Sequence, residues 1–143
     1  MTLVLDASLT LSWFFEDEQS EAGDDLLNMV AERGAFVPRW WRLEVANGLF
    51  VAMRRKRLDA AYRDKALAQL ARLPITVDGE TDAYAWSGTL HLSDRFQLTV
   101  YDAAYLELAH RRLVPLATLD RPLRAAAGEL GVGVLGEDGD TSK

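Results

Sequence analysis

The chain has 143 residues, enough for one domain at about 150 residues per domain and long enough to bury a sizeable core without disulfides or a structural metal. Hydrophobic residues make up 49% and charged residues 27%, which excludes a disordered chain, and the absence of cysteine removes thiol nucleophiles, disulfide frameworks and Cys-based zinc sites. Net charge is −6, but residues 1–32 carry eight acids and no base, leaving the remainder at +2. The early apolar run 7–15 is too short to span a bilayer and no basic residue precedes it, so a cytoplasmic protein without a membrane segment is expected.

Leu3-Val4-Leu5 reads as a first strand closed by Asp6, and Ser8 opens an apolar helix to about Phe15. Glu18 to Arg33 is an amphipathic helix with Leu26, Leu27, Met29 and Val30 on its buried side, stopped by Gly34. Ala35-Phe36-Val37 is a second strand ended by Pro38, and Trp41 to Arg55 a helix with a Val45, Ala46, Leu49, Met53 stripe. Asp59 caps a helix to about Leu73, and Ile75-Thr76-Val77 is a third strand. Thr81 to Arg95 has helical composition, and Thr99 caps a helix running to about Arg112. Pro115 to Thr118 is a fourth strand, Asp120 leads into a helix with Pro122 in its first turn, and Val132 to Leu135 is a fifth strand. Residues 1–135 thus form one domain, and 136–143 a polar, glycine-rich tail expected to fray. Short apolar strands alternating with helices predict an α/β three-layer sandwich, a parallel sheet of about five short strands flanked by helices. In such sheets ligands sit beyond the carboxyl ends of the strands.

Most motifs of chemistry are absent. Gly131-Val132-Gly133-Val134-Leu135-Gly136 has the spacing of a dinucleotide fingerprint but no helix is predicted after it. There is no P-loop, no zinc-protease motif and no nucleophile elbow, and His91 and His110 stand alone. What remains is carboxylates at strand ends and helix starts. Taken singly, Asp6, Asp102 and Asp120 each read first as helix N-cap residues, Asp102 as part of a Thr99-x-x-Asp102 capping box. Glu44 lies among Trp40, Trp41, Leu43 and Val45, where an unpartnered carboxylate is costly. Two carboxylates about 5 Å apart repel by roughly 3 kcal/mol at an effective dielectric of about 20. A cluster of them therefore calls for a cation, and oxygen-only ligands favour Mg²⁺ or Mn²⁺ over zinc.

Four patches then carry a resemblance over nearly the whole chain. They are Val4-Leu5-Asp6-Ala7-Ser8 with Trp13-Phe14; Pro38 with Glu44-Val45-Ala46-Asn47; Tyr101-Asp102-Ala103-Ala104-Tyr105-Leu106; and Leu116-Ala117-Thr118-Leu119-Asp120 with Leu123. In this order the sequence resembles the PIN-domain ribonucleases, and among them the VapC-type toxins of toxin–antitoxin pairs. The resemblance implies Mg²⁺-dependent endonucleolytic cleavage of RNA, with Asp6, Glu44, Asp102 and Asp120 as the acidic metal site. Asp6 and Asp102 would be the primary ligands, and Ser8 and Thr118 supporting polar groups. It also implies a VapB-like antitoxin, a homodimer, and a toxin–antitoxin hetero-oligomer. An apolar groove for the antitoxin is expected around Leu9, Trp13 and Phe14, with an antitoxin Arg or Lys directed at the carboxylates. RNA contacts are expected from the densest basic stretch, Arg39, Arg42, Arg54, Arg55, Lys56 and Arg57, although Arg54–Arg57 reads equally as a solvated helix terminus. Two other readings stand beside this one: a catalytically silent module with the same fold, and a receiver-type phosphotransfer domain. The latter needs an acidic pair after the first strand, a phosphoryl-accepting Asp ending a central strand and a Lys ending a late one; the second predicted strand offers only Val37-Pro38, and the lysines are only Lys56, Lys65 and Lys143.

Overall fold

Two or three residues suffice for each strand in the computed structural model, which describes residues 2–140. They are β1 (Val4–Leu5), β2 (Ala35–Val37), β3 (Ile75–Val77), β4 (Leu116–Ala117) and β5 (Val134–Leu135), paired in parallel in the order β3-β2-β1-β4-β5. Leu3, Val4 and Leu5 are completely buried, as a central parallel strand covered on both faces requires. Among the described residues eight α-helices flank the sheet: α1 (Ala7–Ser12), α2 (Glu21–Arg33), α3 (Trp41–Arg54), α4 (Ala60–Leu70), α5 (Thr81–Tyr84), α6 (Gly88–Phe96), α7 (Val100–Arg112) and α8 (Arg121–Leu130). None is long and apolar enough to cross a membrane among the described residues.

Strand order reverses at β1. The chain steps from β1 to β2 and β3 on one side, then returns to β4 and β5 on the other. Right-handed crossovers put the helices that follow β1 and β2 on one face and those that follow β3 and β4 on the other. Accordingly α1 packs on α3, and α7 packs on both α6 and α8. The crevice of such a sheet opens between the carboxyl ends of β1 and β4.

Local signals set most boundaries. Asp6, Ser20, Asp59, Thr99 and Asp120 cap α1, α2, α4, α7 and α8 through their side chains. Gly34 ends α2 at φ +81°, with Pro74 O only 2.8 Å from where a Cβ would stand. Three expectations change. The helix expected from Glu18 begins at Glu21, because Ser20 supplies the cap and Glu16–Glu18 forms a separate 3-10 turn. The expected helix 81–95 breaks into α5 and α6. Thr81 holds α5 to the loop after β3, donating to Asp78 O and accepting from Arg39 N–H, while Thr89 and Leu92 bury α6 near α7. Residues 136–140, expected to fray, are tied to α8: Arg124 pairs with Asp140 at 2.6 Å and Glu137 at 3.2 Å, and Arg121 with Glu137 at 3.0 Å. Residues 141–143 lie outside the described residues.

Candidate functional site

Asp6 leaves the carboxyl end of β1 and is 4% exposed. Its Oδ1 accepts the Leu9 N–H at 2.9 Å, and the Ser8 hydroxyl lies 2.9 and 3.0 Å from its two oxygens. Thr118, just beyond β4, donates its hydroxyl to Oδ2. The Thr118 oxygen also accepts the Asp120 N–H at 3.0 Å, which leaves its hydrogen for Asp6. Burial pushes the Asp6 carboxyl up to about 6; the bonds from Thr118, Leu9 N–H and Ser8 pull the other way, and the Glu44 charge raises it further.

Glu44 sits in the first turn of α3, half-buried, and Oε1 accepts the Tyr105 hydroxyl at 2.6 Å. The sequence left this carboxylate without a partner; α7 supplies one. Burial holds its pKa above the ordinary range, the Tyr105 bond opposes this, and the Asp102 charge adds to it. Asp102 lies in the first turn of α7, where its N–H donates to the Thr99 hydroxyl at 3.1 Å. Its carboxyl is likewise pushed up, by burial and then by Asp120. Asp120 caps α8 through Oδ2, which accepts the Leu123 N–H at 3.0 Å. Asp6 and Asp120 therefore cap helices, and Asp102 follows the Thr99 cap in the first turn of α7. In a parallel α/β sheet, the strand carboxyl ends and the helix amino ends share one rim.

Asp6, Glu44, Asp102 and Asp120 thus form a series of electrostatic neighbours. None of them forms an ion pair among the described residues. No three His, Cys, Asp or Glu side chains there converge closely enough to enclose a metal ion as they stand. The donor set still fits a hard divalent cation. It is all oxygen, and it holds four carboxylates whose mutual repulsion no ion pair offsets among the described residues.

The flanking surfaces differ from expectation. Leu9 is fully buried and Trp13 is 8% exposed, so neither lines a groove. Trp13 is a core side chain whose Nε1 donates to Gly23 O at 2.9 Å, pinning α1 to α2. Phe14 alone of the three reaches the surface, where it lines a cavity of about 450 Å³ with Phe15, Arg57, Leu58 and Tyr62. Of the basic stretch, Arg39 pairs with Asp82 at 2.8 Å, and Arg57 pairs with Asp17 and Glu18 while stacking over Phe15. Arg42, Arg54, Arg55 and Lys56 are exposed and make no ion pair among the described residues.

Two features escaped the sequence reading. Tyr105 orients Glu44; its position three residues beyond Asp102 on α7 was the available signal. The second is an ion cluster away from the four carboxylates. Arg111 binds Asp78 at 2.7 Å, Glu107 at 2.8 Å and Glu80 at 3.3 Å, and Arg112 reaches Asp78 at 3.4 Å. It bolts α7 to the loop after β3.

The family model described as PIN domain matches residues 3–129. A solved structure, that of PAE2754 from Pyrobaculum aerophilum, superposes with a TM-score of 0.64 at 23% identity, over 88% of this chain and 87% of that one. At that identity the likeness shows a shared fold. Comparison with curated proteins returns no match. The match over most of its length places the chain in the PIN domain family, whose members are generally nucleases that bind divalent metals.

Proposed function

We propose that this PIN-domain chain is a Mg²⁺-dependent endoribonuclease, with Mn²⁺ as the alternative ion, acting as the toxin of a type II toxin–antitoxin pair. One observation carries the nuclease reading: four carboxylates without an ion-pair partner, three of them pushed up in pKa, at the point where strand order reverses. Asp6 and Asp102 would be the primary metal ligands, completed by Glu44 and Asp120. An ion bound there supplies positive charge to offset the charge that develops on a phosphodiester during in-line attack by water.

The chain's own residues do the positioning. Ser8, the Leu9 N–H and Thr118 fix both oxygens of Asp6. Tyr105 fixes Oε1 of Glu44, and the Leu123 N–H fixes Oδ2 of Asp120. Such outer contacts orient ligands and raise their affinity for the ion. Arg42, Arg54, Arg55 and Lys56 on and after α3 attract the RNA backbone, and local potential outweighs the net charge of −6.

The partner reading follows the resemblance. A VapB-like antitoxin would direct an Arg or Lys at the carboxylates, taking the place of the ion as counter-charge. Its apolar segment would enter the cavity beside Phe14 and Tyr62 rather than a groove at Leu9 and Trp13. The toxin is proposed to dimerise. The deciding experiment is incubation of the purified protein with total RNA, with Mg²⁺ and with chelator, followed by end-mapping of fragments. Discrete new ends that require the ion support the reading, and RNA left intact in Mg²⁺ defeats it. Co-purification from the host tests the antitoxin.

A further inference from the structure

Trp40, the residue before α3, stands edge-on to two tyrosines of α7. Its ring centroid is 5.2 Å from that of Tyr101 at an interplanar angle of 89°, and 5.2 Å from that of Tyr105 at 90°. Trp40 is therefore perpendicular to both tyrosines, and Trp40 and Tyr101 meet as two walls of a corner. Tyr105 is buried and bonded to Glu44, which anchors the corner, whereas Tyr101 is 63% exposed. Leu43, one turn into α3, is 76% exposed beside them. Trp40, Leu43, Tyr101 and Glu44 together line a notch of about 350 Å³ whose surface is almost wholly apolar.

We propose that this notch is a nucleobase subsite, in which Trp40, Leu43 and Tyr101 hold one unstacked base of a single-stranded RNA beside the bond to be cut. The inference rests on the nuclease reading above. Three features favour a base. A flat, largely apolar heterocycle stacks on an aromatic face whatever its identity, and the perpendicular rings offer it a face and an edge at once. Glu44 forms the fourth wall, so a phosphate or carboxylate entering the notch is repelled by its charge while a neutral base is not. Its second oxygen accepts no hydrogen bond among the described residues and can receive the exocyclic amino group of adenine, cytosine or guanine. Glu44 also belongs to the carboxylate series. A base seated against it therefore lies within a side chain's length of the site where the phosphodiester reacts. Duplex RNA keeps its bases stacked and cannot insert one.

The test uses the Asp6→Asn protein, to keep RNA intact, and ribo-oligonucleotides carrying 2-aminopurine at each position in turn. Quenching confined to one position next to the mapped cleavage site is expected. Tyr101→Ala should abolish that quenching and weaken binding by roughly tenfold, the scale of one stacked base. Tyr101→Phe should restore both. An abasic residue at the same position should erase the difference in affinity between the Tyr101→Ala protein and its parent. Uniform quenching, or equal weakening with every abasic oligonucleotide, overturns the subsite. So does a shift from dimer to monomer on Leu43→Ser or Tyr101→Ala with RNA affinity unchanged, since the notch would then be covered by a second copy. Failure of the nuclease reading looks different: the unaltered chain would leave the same oligonucleotides intact in Mg²⁺, whatever the fluorescence shows.

Discussion

The Tyr105 hydroxyl donates a 2.6 Å hydrogen bond to Glu44 Oε1, joining α7 to α3 across 61 positions of sequence. Burial, then the Glu44 charge, holds the Tyr105 pKa far above its ordinary value, so the phenol is a permanent donor. It restrains one oxygen of a carboxylate that burial and Asp102 would otherwise leave protonated more often.

Tyr105→Phe is therefore expected to keep the fold and raise the metal requirement. Contacts that orient a ligand are typically worth 10–100-fold in metal affinity. Cleavage rate against Mg²⁺ concentration should shift to higher metal by about tenfold, with a rate at saturation closer to that of the unaltered chain. An unshifted metal curve would remove Tyr105 from the positioning role.

Asp6 links the site to stability. Its carboxyl titrates at about 6 in the folded chain and near 3.9 in an unfolded one. Between those values the folded state holds the extra proton, so stability falls as pH rises through the window. The loss from this group is about 3 kcal/mol and is complete above the folded value. In chelator, Asp6→Asn should flatten that dependence and melt higher than the unaltered chain at pH 7, while abolishing cleavage in Mg²⁺. Asp102→Asn should abolish cleavage too. Melting curves from pH 4 to 7 and an RNA cleavage assay read both effects.

Replacing Arg54, Arg55 and Lys56 with Gln should weaken RNA binding and flatten its salt dependence by about one unit of slope for each phosphate no longer neutralised. Arg57→Gln should change binding less, because its guanidinium is already engaged by Asp17 and Glu18. Titrations of the Asp6→Asn protein at several salt concentrations distinguish these outcomes. Equal slopes for the triple variant and the parent would return this segment to a solvated helix end.

Arg111→Met tests the ion cluster. Burial alone would raise the pKa of Asp78, yet bonds from Arg111, the Glu80 N–H and Arg112 hold it below the ordinary value. Removing Arg111 leaves a carboxylate that is 1% exposed with only Arg112, the Glu80 N–H and Thr81 as partners, at a cost of up to about 3 kcal/mol. Denaturant unfolding should show that loss, with cleavage by the remaining folded protein unchanged.

What could be read from the sequence was local in origin. β2 and β3 fall at Ala35–Val37 and Ile75–Val77, where apolar runs are bounded by Gly34, Pro38 and Pro74. Asp6, Asp59, Thr99 and Asp120 act within three residues of themselves as caps. Since caps in a parallel α/β chain line the rim of the sheet, those local signals also placed two of the four carboxylates, Asp6 and Asp120, and set the turn that carries Asp102. Tertiary structure decided what depends on distant partners: Tyr105 with Glu44, Arg39 with Asp82, Arg57 with Asp17, and Trp13 with Gly23 O. An aromatic in an amphipathic segment fits a core and a groove equally, and an arginine fits an ion pair and a phosphate equally. Helical or strand periodicity reports which residues share a face. Only the packing of α1 on α3 and of α7 on its neighbours decides what that face meets.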